Sequence, residues 1–211
     1  MKLDKIFVIH FEPLSDRKIY LDSILGSYNI PYEYIISNID SDSKSNIDDF
    51  YKVDLSIWNR ELTIGEICVS INHFIVYDKI SKGNYNNCLI IEDDAVFKDN
   101  FNLFIDKILI ELENTDSDMC FVSDGCNLHS GFIESNKHIY YSDTSRTVCG
   151  YIINAKCVDK VLDSLPFSKP IDWHLNQIKE KLNLKYYWSE PTIIRQGSEG
   201  IYKSNLRDKI K

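Results

Sequence analysis

Apolar residues in this chain gather in short runs, and the runs alternate between two periodicities. Lys5–His10 (Lys-Ile-Phe-Val-Ile-His) is nearly continuous in apolar residues and has the length of a buried strand. After a loop with Pro13, residues 15–28 carry Ile19, Leu21, Ile24 and Leu25 at helical spacing, with Ser15 as N-cap and Asp16 at the positive helix end. Pro31 breaks the chain and Tyr32–Ile36 reads as a second strand. A β-α-β unit of this kind implies a parallel pair with a right-handed crossover. Residues 37–54 are polar and low in complexity, and read as a mobile surface loop that is either a lid over a ligand or a tolerated insertion. Thr63-Ile64-Gly65-Glu66 has the form of a capping box and opens a long, largely apolar helix over 64–81.

The second half of the chain repeats the alternation. Residues 88–91 form a strand, Phe101–Glu113 a helix, and 119–122, Ile139–Ser142 and 147–154 further strands. Helices are predicted over 155–165 and 172–182, a last strand over 184–188, and a loop-like tail from Glu190. The pattern predicts one α/β domain spanning residues 1–211, a mostly parallel sheet flanked by helices, with mixed strands late in the chain.

The run Cys88-Leu89-Ile90-Ile91 ends in Glu92-Asp93-Asp94. Three carboxylates at the end of a buried strand repel one another unless a cation sits between them. Open α/β sheets bind ligands at the carboxyl ends of their strands. Mg²⁺ and Mn²⁺ take oxygen ligands and often bridge carboxylates to substrate phosphates. The triplet therefore reads as a metal-assisted nucleotide or phosphate site, with a solvated acidic turn as the competing reading.

Composition narrows the function. A formal net charge of -8 and a pI near 5.1 argue against nucleic acid as the main partner, but not against a phosphorylated small molecule. No run of about 18 apolar residues exists, so no membrane span is expected. The N-terminus lacks the features of a signal peptide, which gives a cytoplasmic expectation with peripheral membrane association left open. Six scattered cysteines without a C-x-x-C pair read as reduced core thiols rather than a zinc site. Gly65, in a first helical turn, and Gly150, inside a strand, each suggest close approach of backbone or ligand. The Gly65-Glu66 helix start faces a nucleotide on one reading, and Glu66 is only a capping partner on the other. His73, on an apolar helix, reads as a satisfied core histidine, with a catalytic histidine as the competing reading.

Six segments then occur together in one order. They are Ile6-Phe7-Val8-Ile9-His10 with Ser15-Asp16-Arg17; Leu62 to Ile67 with Ser70-Ile71-Asn72-His73; Leu89 to Asp94; Cys149-Gly150-Tyr151-Ile152-Ile153; Lys169-Pro170-Ile171-Asp172; and Pro191 with Gln196-Gly197-Ser198. Over nearly the whole chain this resembles glycosyltransferase family 25, which includes bacterial lipooligosaccharide galactosyltransferases and collagen hydroxylysine galactosyltransferases. The chain departs from the family pattern at Ile9-His10-Phe11-Glu12, which leaves donor identity open.

The resemblance implies a GT-A-like fold and transfer of galactose or glucose from a UDP-sugar to a hydroxyl acceptor, a glycan or a hydroxylysine-type side chain. It implies Mn²⁺ (or Mg²⁺) held by Asp94 with Glu92, the triplet standing in for an Asp-x-Asp motif. Donor contacts are expected from Arg17, Gly65, Glu66, Glu92, Asp93, Gly150, Tyr151 and Gln196. Arg17 is a candidate for uracil, ribose or phosphate, or else a surface helix charge. If transfer inverts, Asp172 is the first candidate base, with a helix N-cap as the alternative reading, and Asp124 is the second. His174 or Gln196-Gly197-Ser198 is a candidate for a remaining metal or pyrophosphate contact, and Tyr151 and Trp173 for stacking on a sugar. The competing functions are a Mg²⁺-dependent phosphatase or phosphotransferase, and a nucleotide-sugar or glycan-binding domain without turnover.

Overall fold

The computed structural model describes residues 1–36, 47–131 and 133–202 of the 211. In chain order the elements are β1 (Lys5–His10), α1 (Ser15–Leu25), β2 (Tyr32–Ile36), α2 (Ile64–Lys82), β3 (Asn87–Glu92), β4 (Ala95–Phe97), α3 (Phe101–Glu113), β5 (Met119–Phe121), β6 (Ile139–Ser142), β7 (Gly150–Asn154), α4 (Ala155–Leu162), α5 (Ile171–Lys181), β8 (Tyr186–Ser189) and β9 (Ile194–Gln196). Short 3-10 turns cover Gly125–Asn127 and Gly197–Glu199.

Seven strands make one sheet in the order β2-β1-β3-β7-β5-β8-β6, and β4 pairs with β9 in a separate two-stranded ribbon. Strands β1, β2, β3, β5 and β8 share one direction, while β7 and β6 run against them. The sheet is thus mostly parallel and mixed in its later strands, and helices cover both faces. The period-two alternation of buried strands decides which core each side chain joins. Phe7 and Ile9 of β1 pack with Ile90, Tyr151 and Phe121 under α2, α4 and α5. Ile6 and Val8 pack with Leu89, Ile91 and Ile152 under α1 and α3.

Several boundaries differ from the sequence pattern for local reasons. The N-cap of α1 is Leu14, not Ser15, and no side chain caps it. The helix ends at Leu25, where the Gly26 amide bonds the Asp22 carbonyl and the Ser27 amide the Ile24 carbonyl. The strand expected over 147–154 begins only at Gly150, because Thr147 adopts a left-handed backbone (φ 60°) that cannot continue a ladder. The tail from Glu190, expected as loop, contains β9. Its three residues are too few to show a periodicity. Of the segment 37–54, residues 37–46 lie outside the described residues. Its end is anchored rather than loose: Tyr51 bridges to Phe167, Lys52 donates its amide to the Phe167 carbonyl at 3.0 Å, and the Tyr51 and Phe167 rings meet at 5.6 Å. A fully buried ion pair, Arg146 with Glu190, with the guanidinium 4.5 Å over the Trp188 ring, fixes the chain before β7 to the end of β8.

Candidate active site

Because β1 and β3 are parallel neighbours, with Ile9 paired to Glu92, both release their chains at the same edge of the sheet. The acidic triplet straddles that edge. Glu92 is the last residue of β3, and Asp93 and Asp94 turn the chain toward β4. The three carboxylates have different partners.

Asp93 is buried and fully engaged. Its Oδ1 accepts from Arg17 Nη1 at 2.6 Å, and its Oδ2 accepts from the Phe11 amide at 3.0 Å and faces His10 Nδ1 at 3.0 Å. It ties the end of β1 and the first turn of α1 to the end of β3. Arg17, expected at a nucleotide, is held from below by Asp93 and covered by the Tyr202 ring at 4.9 Å. Asp93, expected to touch the donor, uses its oxygens here to position Arg17, the Phe11 amide and His10.

Asp94 is held by a strap from the C-terminal side. Its main-chain oxygen accepts the Gly197 amide at 2.7 Å, its Oδ2 accepts the Ser198 amide at 3.2 Å, and its Oδ1 accepts from Cys149 Sγ at 3.4 Å. The β4–β9 ribbon aligns this strap, pairing Ala95 with Gln196. Gly197 is required by the close approach: a Cβ there would sit 2.6 Å from the Asp94 oxygen and 2.5 Å from the Tyr202 ring.

Glu92 is the member that faces the mouth of the sheet, its side chain 21% exposed. Burial raises its pKa well above the ordinary value, and the carboxylates of Asp94, Asp93 and Asp172 raise it further, with Arg17 opposing them. Its Oε1 lies 3.4 Å from His73 Nε2. His73 is indeed buried in the core, where burial lowers its pKa to about 3 and keeps the imidazole neutral. Sequence reasoning missed that this core histidine reaches the acidic edge. The available signal was Tyr77, four residues on and so on the same helix face. Tyr151, expected at the donor, is wholly buried and bonds His73 Nδ1 at 2.8 Å and the Tyr77 hydroxyl at 2.7 Å.

Asp172 lies in the first turn of α5, whose N-cap is Pro170, so it is not the cap itself. Its Oδ1 accepts the Trp173 amide at 2.9 Å. Burial raises its pKa, and nearby Glu66 adds to the rise. Asp124 is occupied instead: Oδ2 pairs with Lys98 Nζ at 2.8 Å and Oδ1 accepts the Gln196 amide at 3.0 Å. Glu66 completes the capping box with Thr63 and takes a bidentate bond from Arg60 at 2.8 and 2.6 Å, which accounts for its lowered pKa despite burial. Gly65 lies beside it in the same turn. The missing Cβ of Gly150 makes room for Ile194, 3.0 Å from where the Cβ would be, so this close approach is made by protein. Gln196 is fixed through its backbone, and its buried Oε1 has no partner among the described residues. His174 is buried and bonds Ser164 Oγ at 2.8 Å, while Trp173 is 53% exposed with its ring 5.6 Å from Trp58.

The donor set fits a shared cation and not a caged one. Among the described residues no group of three or more His, Cys, Asp or Glu side chains is disposed to hold a metal ion. Asp93 differs in having its charge matched by the Arg17 guanidinium at 2.6 Å. Glu92 and Asp94 remain, two oxygen donors whose mutual repulsion marks local excess of negative charge. A Mg²⁺-type ion is commonly held by one or two carboxylates together with substrate phosphates.

A family model described as glycosyltransferase family 25 (LPS biosynthesis protein) matches residues 3–175. Among curated proteins the chain is 23% identical over 202 residues to procollagen galactosyltransferase 1-A of Xenopus laevis, covering 90% of this chain and 33% of that protein. It is likewise 23% identical over 226 residues to procollagen galactosyltransferase 2 of Mus musculus, covering 92% and 35%. The chain thus spans about a third of the length of the curated relatives it matches. Among solved structures, the glycosyltransferase GlyE of Streptococcus pneumoniae TIGR4 aligns over 90% of this chain and 46% of that one, at 12% identity and a TM-score of 0.45. The galactosyltransferase LgtC, in complex with donor and acceptor sugar analogs, aligns over 83% and 65% at 13% identity and 0.40. These structural likenesses are too distant to add to the family match. Matched over most of its length by the family model, the chain belongs to glycosyltransferase family 25.

Proposed function

We propose that the chain transfers a hexose, galactose or glucose, from a UDP-sugar to a hydroxyl acceptor on a glycan or a hydroxylysine-type side chain, with inversion at the anomeric carbon. The observation that carries this reading is the convergence of Glu92 and Asp94 with the Asp93-held Arg17 at one sheet edge. Arg17, oriented by Asp93, supplies fixed positive charge for a nucleoside diphosphate. Glu92 and Asp94 would hold Mn²⁺ or Mg²⁺. When bound, such an ion supplies Lewis-acid stabilisation of charge on the departing diphosphate.

Asp172 suits the role of base better than Asp124. A general base works best when its pKa is brought toward the operating pH. Burial raises Asp172, and no cation partners it among the described residues, whereas Lys98 neutralises Asp124. Asp172 takes the acceptor hydroxyl's proton as that oxygen forms its bond to the anomeric carbon. The bond from that carbon to the diphosphate oxygen breaks on the opposite face, and UDP leaves with the electron pair. Free cysteines, most of them buried, accord with a reducing compartment such as the cytoplasm. No helix among the described residues is long and apolar enough to cross a membrane.

The test is incubation with UDP-galactose or UDP-glucose, Mn²⁺ and a hydroxyl acceptor, followed by proton NMR of the new linkage. A β-linked product from the α-linked donor supports the reading. Retention of the anomeric configuration overturns inversion and the base assignment, and absence of both transfer and UDP binding overturns the reading itself.

A further inference from the structure

A chain of polar groups crosses the apolar core and ends at the acidic edge. Tyr77, Tyr151 and His73 are each fully buried, and no other described residue hydrogen-bonds the Tyr77 hydroxyl. The links run Tyr77 Oη to Tyr151 Oη at 2.7 Å, Tyr151 Oη to His73 Nδ1 at 2.8 Å, and His73 Nε2 to Glu92 Oε1 at 3.4 Å. Buried polar groups are costly unless bonded, so three of them linked in line through a largely apolar core need a reason.

Proton counting fixes the direction of the chain. A neutral imidazole has one N–H, so one ring nitrogen donates and the other accepts. In one ordering Tyr77 donates to Tyr151, Tyr151 donates to His73 Nδ1, and His73 donates its Nε2–H to Glu92. Every proton then has an acceptor, and only a Tyr77 oxygen lone pair is unused. In the reverse ordering Glu92 must be protonated and the Tyr77 hydroxyl proton points at nothing inside a dry core. A buried orphan donor is the more costly defect.

The geometry points to His73 as a positioning residue for Glu92, with Tyr151 and Tyr77 fixing its Nε2–H tautomer so that one carboxylate oxygen is held and the other is left for the mouth of the site. Glu92 Oε2 has no protein partner among the described residues. His73 and Tyr151 touch no substrate and act through Glu92. The inference rests on the proposed role of the Glu92–Asp94 pair only for its functional consequence. The tautomer itself does not depend on that role.

The test uses the whole chain labelled with ¹⁵N-histidine, without metal or nucleotide. Long-range ¹H–¹⁵N correlations give the tautomer of each of the five histidines, and His73→Gln assigns the His73 signals. The expected result is a single Nε2–H tautomer in the wild type and a mixture in Tyr151→Phe. A Nδ1–H tautomer in the wild type, or an unchanged tautomer in Tyr151→Phe, overturns the relay. The second arm measures Mn²⁺ binding in the presence of UDP by electron paramagnetic resonance. Removal of such outer partners typically weakens a metal site by roughly 10- to 100-fold, and Tyr151→Phe is expected at the lower end, about 10-fold. Equal Mn²⁺ affinity in Tyr151→Phe and wild type overturns the positioning role even if the tautomer is as expected. Wild-type protein that binds neither Mn²⁺ nor UDP sinks the proposed function while leaving the tautomer result standing, so the two failures are told apart.

Discussion

Asp93 and Asp94 are chemically identical neighbours, and the structure gives them opposite jobs, which a pair of isosteric substitutions separates. Asp93→Asn keeps the shape but removes the charge that Arg17 meets at 2.6 Å, with both side chains about nine-tenths buried. It also leaves an amide nitrogen among the three donors, Arg17, the Phe11 amide and His10, that now converge on two carboxylate oxygens. Breaking a buried pair by removing one partner costs about 3–5 kcal/mol, and slight exposure here puts the expectation at about 3 kcal/mol. At ~1.4 kcal/mol per decade, that is a fall of roughly 100-fold in the folding equilibrium constant. Asp94→Asn is expected to cost less than about 1 kcal/mol. Its carboxylate bonds are long, 3.2 and 3.4 Å, and the change also relieves repulsion with Glu92. The assay is urea unfolding followed by tryptophan fluorescence, with midpoints compared at equal slope. If Asp94→Asn proves the more destabilising, or Asp93→Asn shifts the equilibrium less than threefold, the assignment of Asp93 as hub is wrong.

Three further expectations follow from individual residues. Asp172→Asn should lower kcat by roughly 10²–10⁴ with little change in donor KM. Because Asp172 is raised in the folded protein, its ionisation opposes folding as pH rises through that window, so the same variant should melt higher than wild type at pH 7. A lower or equal melting temperature contradicts the raised pKa of this half-buried carboxyl, which no cation partners among the described residues. His73 and His174 are lowered to about 3 and about 4, so the unfolded chain gains protons below its ordinary value of 6.5 that the folded chain does not. Their contribution is fully present above 6.5 and declines as pH falls, by about 2 kcal/mol per imidazole at pH 5. His174→Gln should therefore flatten the loss of stability between pH 6 and 5, and an unchanged slope refutes it. Gly197→Ala, whose Cβ would press on the Asp94 oxygen, should lower stability by about 1–3 kcal/mol and weaken UDP binding together. Intact UDP affinity would detach the strap from the site.

The central elements were legible because burial writes long signals. The β1 and α2 runs, the capping box at Thr63, and the acidic end of β3 are all readable from spacing alone. The order in which the strands assemble was not, because the antiparallel placement of β7 between β3 and β5 depends on contacts far apart in sequence. Within the site, residue type marked the edge but not the division of labour. Nothing local distinguishes Asp93 from Asp94. The difference arises from Arg17 and His10 on one side and from Gly197 and Ser198 on the other. Tyr151 stands in a segment that carries the family resemblance and so invited a ligand role, yet strand alternation turns it into the core with Phe7 and Ile9. Short elements such as β9 carry no periodicity, although β9 delivers the strap that closes on Asp94.

Calorimetric titration of UDP into the wild type and into Asp94→Asn, each with and without Mn²⁺, bears most directly on the claim that this edge grips a nucleotide diphosphate through a shared cation. The account predicts UDP binding that strengthens at least tenfold with Mn²⁺ in the wild type and is indifferent to Mn²⁺ in Asp94→Asn. Wild-type UDP affinity that does not change with Mn²⁺, or a full Mn²⁺ effect that persists in Asp94→Asn, would contradict it.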